Sequence, residues 1–135
     1  MGIYGLWERQ PDTTILDFET LREQYNLPVR PFDINEYAWT SEQSPANSVY
    51  YLAQCERHNL RCLRANWGGG SDLHNYMIYK TNGTYYPNGE WQLYKYYTGM
   101  TGNRVETSAS GDLIFDVFAN TSENTVKIIA GTRTV

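Results

Sequence analysis

One glutamate stands where a carboxylate on a strand can do chemistry. Glu36 lies in the run Asp33-Ile34-Asn35-Glu36-Tyr37-Ala38. An inward-facing carboxylate at the C-terminal end of a parallel strand is where β/α barrels place catalytic groups. The competing reading is a surface glutamate at a strand-to-loop junction. Other reactive residues carry weaker signals. Cys55, His58 and Cys62 lack the spacing of a zinc site, and the cysteines read as two small buried hydrophobes or as a disulfide that spacing alone does not decide. The glycines Gly68 to Gly70 lack the Lys-Ser/Thr of a phosphate loop. His74 reads as a loop histidine, and Arg57, Arg61 and Arg64 as ordinary surface pairing. Two sequons begin at Asn82 and Asn120 and would be used only in a secretory pathway.

The elements that must position Glu36 follow from periodicity. Phe18, Leu21 and Tyr25 repeat at helical spacing behind Thr13 or Thr14 as N-cap, and Pro28 stops that helix. Residues 29–36 (VRPFDINE) read as a strand with Phe32, Ile34 and Glu36 on one face and Asp33 on the other. Pro31 weakens its start. Ser44-Pro45 opens a helix over 45–58, and 60–67 (LRCLRANW) is a second strand with Leu63, Ala65 and Trp67 on one face. A short helix over 72–79, turns over 82–89 and a helix over 90–98 capped by Asn88 and Gly99 follow. Strands are then expected over 104–108, 113–119 and 125–130, with Leu113, Phe115, Val117 and Ala119, then Val126, Ile128 and Ala130, alternating with the rest. The fold class is therefore α/β followed by antiparallel β, with an α/β part over 1–99 and a partial antiparallel sandwich over 100–135. A sheet needs a second layer over its apolar face, so the chain is expected to be cut at both ends.

Size and charge exclude several classes. The chain has 135 residues, which suits one modest domain and is too short for a complete eight-fold barrel of about 250 residues. Eleven Lys and Arg against 15 Asp and Glu give a net charge of −4, leaving no cationic face for nucleic acid. No apolar run is long enough to cross a membrane, the N-terminus has no signal-peptide pattern, and Leu6 breaks the myristoylation pattern. Twelve Tyr and four Trp suit either sugar faces or plain β-structure.

The stretch from Pro31 through Tyr37, then Gln43-Ser44-Pro45, then Ala65-Asn66-Trp67-Gly68, resembles the C-terminal part of clan A retaining glycoside hydrolases. It looks most like fungal sequences near the β-xylosidase and iduronidase-type family. The run from Pro87 through Asn103 (PNGEWQLYKYYTGMTGN) is similar to the last barrel helix of such enzymes and its lead into a β-sandwich. The resemblance covers residues 10–130. It implies the last βα units of a TIM-type barrel, with 29–36 as the seventh strand and Glu36 as nucleophile. It implies 60–67 as the eighth strand, with Trp67 as a platform for the sugar and Tyr37 holding substrate or orienting the carboxylate.

The family takes its acid/base glutamate from the fourth strand, upstream of anything in this chain, and neither Glu8 nor Asp33 replaces it. The expected function is a C-terminal fragment of a glycoside hydrolase, inactive or nearly so alone. The alternatives are a non-catalytic carbohydrate-binding or interaction module, or a remnant. Carbohydrate is the expected partner, with self-association through open sheet edges and no cofactor or metal. The family is commonly secreted.

Overall fold

The computed structural model describes residues 10–38, 42–64 and 77–133. The chain begins with α1 (Pro11–Gln24), β1 (Asp33–Tyr37), α2 (Pro45–Arg57) and β2 (Arg61–Arg64), in which β1 and β2 pair in parallel. A hairpin of β3 (Ile78–Thr81) and β4 (Thr84–Pro87) precedes α3 (Gly89–Thr98). The remainder is an antiparallel sheet of β5 (Asn103–Arg104), β6 (Phe115–Ser122) and β7 (Thr125–Thr132), in that spatial order. The described residues thus hold one β–α–β unit with a helix before it, and no barrel closes among them.

Local chemistry explains most boundaries. α1 starts at Pro11 rather than at the threonines, because proline's fixed φ suits the first helical position. Both Thr13 and Thr14 donate their N–H to the Gln10 carbonyl. β1 begins only after Pro31, which has no N–H for a ladder. α2 starts as expected, with the Ser44 hydroxyl accepting from the Asn47 N–H at 3.4 Å. α3 is capped by Asn88, whose side-chain oxygen accepts from Trp91 N–H at 3.1 Å, and it ends at Gly99.

Two expectations fail locally. Residues 78 and 79, expected in a helix, belong to β3, and the turn of 82–89 shrinks to Asn82-Gly83. Both turn residues are left-handed, with φ of +50° and +79°, the geometry of a tight hairpin turn that Asn-Gly favours. The strand expected over 104–108 stops at Arg104. Beyond it, Val105 donates a single N–H to the Ala119 carbonyl.

α2 is the centre of the molecule. Nine consecutive residues, Asn47 to Cys55, are buried, so every face of the helix is covered. On one side Tyr50 and Tyr51 pack with Ile34, Tyr37 and Ala38 of the β1 region. On the other, Val49, Leu52 and Ala53 pack with Phe118 and Ile129 of the sheet, and Leu93, Tyr94 and Tyr97 of α3 close that cluster. The second core therefore crosses the line at 99/100 where the sequence divides into two characters.

The sheet meets α2 through the face opposite to its apolar alternation. Asp116, Phe118 and Asn120 of β6 and Ile129 and Gly131 of β7 are buried, whereas Phe115, Val126 and Ile128 are exposed; of the expected alternation on β6 only Ala119 is buried. Asp116 is tolerated inside because Arg57 reaches it with two nitrogens at 2.6 and 3.1 Å. The same guanidinium bonds Asp12 at 2.6 Å and the Thr107 carbonyl at 2.9 Å. α1, α2 and β6 are thus tied by one partly buried cation. The layer expected over the sheet is supplied on this side by helices.

The helical stripe of α1 also departs from expectation. Only Pro11 and Ile15 of α1 are buried, while Phe18, Leu21 and Tyr25 face water. Cys55 and Cys62 form a disulfide joining the end of α2 to β2. Of the two sequons, Asn82 sits exposed in the hairpin turn and Asn120 is buried under α2.

Candidate functional site

The β1–β2 pair sets the geometry around Glu36. Asp33 aligns with Arg61 and Ile34 with Cys62, but the next aligned pair is Tyr37 with Arg64. Three steps along β1 therefore match two along β2, which is a β-bulge. Bulges recur beside active sites, where they re-aim a side chain. This one reverses the alternation: Ile34 and Tyr37 both point inward, and Asn35 and Glu36 are left exposed. Strict alternation would have buried Glu36 with Ile34, as the sequence pattern suggests.

The chain after Glu36 is also unusual. Ala38, almost fully buried, has a left-handed φ of +66°. A non-glycine residue there costs of order 1 kcal/mol and persists only where its surroundings enforce it. Here Tyr37 supplies the enforcement. Its ring lies 5.0 Å from that of Tyr51, and its hydroxyl shares a 3.1 Å hydrogen bond with the Tyr94 hydroxyl on α3. Tyr37 is 4% exposed and lies on the face opposite Glu36. It fixes the strand from behind and does not stand beside the carboxylate's open side.

Asp33 is corrected too. Flanking the inward Ile34, it shares the outer side of the strand with Glu36 rather than lying opposite to it. Both its oxygens are engaged by Arg61, at 2.6 and 2.9 Å. Trp67, Glu8, His74 and Gly68 to Gly70 lie outside the described residues.

Three polar clusters around α2, two of them buried, were not legible as such. The Arg64 side chain is 1% exposed and lies 3.4 Å from Glu90 Oε1, which also accepts from the Ser48 hydroxyl at 2.9 Å. Burial pushes the Glu90 carboxyl above its usual range, against the opposing pull of Arg64 and Ser48. Glu42 accepts from the Tyr51 hydroxyl at 3.0 Å and has Arg133 at 3.5 Å. On α3, the Tyr97 hydroxyl donates to Glu56, and Arg104 stands 3.5 Å from the other oxygen of that carboxylate. Of the three arginines expected to make surface pairs, only Arg61 does so. The sequence signal for the others was their place at the ends of α2 and β2, whose neighbours become visible only once those elements are docked.

No group of three or more metal-ligating side chains gathers among the described residues. No helix among them is long and apolar enough to cross a membrane. No family model, curated protein or solved structure matches the chain.

Proposed function

We propose that this chain supplies the C-terminal part of a retaining glycoside hydrolase, with Glu36 as the nucleophile. The observation that carries this reading is the bulge at the C-terminal end of β1. It turns Glu36 out of the packed layer while Tyr37 and the left-handed Ala38 hold the strand end in place. A carboxylate held on a rigid strand and open on one side is what attack on an anomeric carbon requires.

Retention needs a second carboxyl group about 5–5.5 Å from the first, to protonate the leaving oxygen and later activate water. Asp33 shares the outer side of β1, but Arg61 occupies both its oxygens. The acid/base group on this reading therefore comes from outside the described residues, and the isolated chain is inactive or nearly so. In the same reading Trp67 is the sugar platform, and Tyr37 positions the nucleophile through the backbone. The outer edges of β1 and β2 are where further barrel strands, or a second chain, pair. The Cys55–Cys62 disulfide and the exposed Asn82 sequon accord with an oxidising, secreted setting.

The test is labelling with activated 2-fluoro-glycosides read by intact mass, since a good leaving group needs no general acid. A stoichiometric adduct mapped to Glu36, and absent in Glu36→Gln, is the expected result. No adduct with xyloside, glucoside or glucuronide forms would overturn the reading.

One observation favours a second reading, a non-catalytic carbohydrate-binding module. The β3–β4 hairpin exposes Tyr79, Tyr85 and Tyr86, with the first and last rings stacked 5.5 Å apart. Exposed aromatic faces suit sugar rings. Oligosaccharide binding that survives Glu36→Gln but is lost in Tyr86→Ala would select this module over the hydrolase.

A further inference from the structure

The apolar stripe of α1 is the largest sequence feature that neither the core nor the Glu36 site uses. Phe18 and Leu21 of this helix and Tyr25 just past its end line an open slot of about 370 Å³ together with Leu27 and Phe32 of the segment that leads into β1. Phe18 and Phe32 form one wall, with ring centroids 5.5 Å apart at 40°. Nearly all the surface inside the slot is apolar, although Phe18, Leu21, Tyr25 and Leu27 each remain at least 42% exposed. A contiguous apolar surface of this kind marks a binding site, and the volume falls in the range of small-molecule pockets.

Charge among the lining residues selects the ligand. Two arginine side chains contribute to the lining, Arg22 and Arg30. Arg22 is already held by Glu19 at 2.6 Å and by Glu23 at 3.5 Å. Among the described residues Arg30 makes no ion pair or hydrogen bond, so one arginine of the lining keeps its charge unpaired. We propose that this slot binds a small amphiphilic carboxylic acid, of the medium-chain or phenylalkyl kind. The hydrocarbon body lies against the wall of Phe18 and Phe32 and on Leu21, and the carboxylate meets Arg30. Phe32 lies four residues before Glu36, just ahead of the start of β1, so this site is separate from the glycosidase reading and neither depends on the other.

The experiment is a titration of the ¹⁵N-labelled chain with octanoate, and with octanol as the uncharged match, below micellar concentrations. Saturable one-to-one binding in the sub-millimolar range is expected for about ten ligand heavy atoms. Its shifts should be confined to residues 18–32. Arg30→Gln should weaken octanoate about threefold or more while leaving octanol unchanged. Leu21→Ser, at an exposed position, should weaken both. No saturation by octanoate, shifts centred elsewhere, or equal octanoate affinity in Arg30→Gln would overturn the proposal. Shifts in residues 18–32 that follow protein concentration rather than ligand would overturn it in favour of a second copy covering the slot.

Discussion

Gly131→Ala tests whether α2 lies directly on β7. Gly131 is buried where β7 crosses the start of the helix, and a methyl group built on it overlaps the Ala46 carbonyl oxygen and lies 2.6 Å from Val49 Cβ. Neither atom belongs to a side chain that can swing away. Accommodation therefore requires the helix to retreat from the sheet, which opens the contact of Val49, Leu52 and Ala53 with Phe118 and Ile129. Overpacking of this kind costs about 1–3 kcal/mol, and the rigidity of both obstacles argues for the upper half of that range. For a chain of 135 residues, that is a fall in Tm of roughly 6–12 °C. The assay is thermal melting by circular dichroism beside Gly111→Ala, where nothing lies within 4 Å of the new methyl and the shift should stay within about 2 °C. A Gly131→Ala protein that melts with the parent would refute the packing of α2 on the sheet.

Arg57→Met should cost about 3–5 kcal/mol in urea unfolding, because it leaves the fully buried Asp116 without its cation. Adding Asp116→Asn should recover part of that loss. Burial pushes the Asp12 carboxyl up, but hydrogen bonds from His58 and Arg57 outweigh burial and hold it below its usual range. A depressed acid contributes stability above its unfolded pKa and loses it as pH falls through the folded value. The urea midpoint should therefore drop more steeply between about pH 5 and about pH 3 in the parent than in Asp12→Asn. Reducing the Cys55–Cys62 bond, which closes a loop with a sequence separation of 7, should cost about 2–3 kcal/mol and lower Tm reversibly.

Much of the local structure was legible because local chemistry decides it. Ser44-Pro45, Asn88 and Gly99 set the ends of α2 and α3 regardless of what those helices touch. The orientation of the last sheet was not legible for the converse reason. Alternation identifies two faces of a strand, but which face meets a helix depends on what that helix carries. Arg57 lets Asp116 go inside, and the missing side chain of Gly131 lets the α2 backbone approach. The same limit applies at the candidate site. Glu36 and its neighbours could be read as a strand end, whereas the bulge that separates Glu36 from Ile34 is a property of the pairing with β2. The Asn82-Gly83 hairpin was visible in principle, and the flanking tyrosines fit strands as readily as a helix and its turn.

The burial of α2 on every side leaves the two cores of the described residues without a seam between them. Val49 and Leu52 look toward the C-terminal sheet while Tyr50 and Tyr51 look toward β1, and these are successive residues of one helix. A cut after Gly99 would strip the helix of the surface covered by Phe118 and Ile129, and a cut before Ser44 would strip it of the surface covered by Ile34 and Tyr37. Protease nicking or recombination at either point yields no self-standing piece. The described residues should unfold, and be inherited or discarded, as one unit.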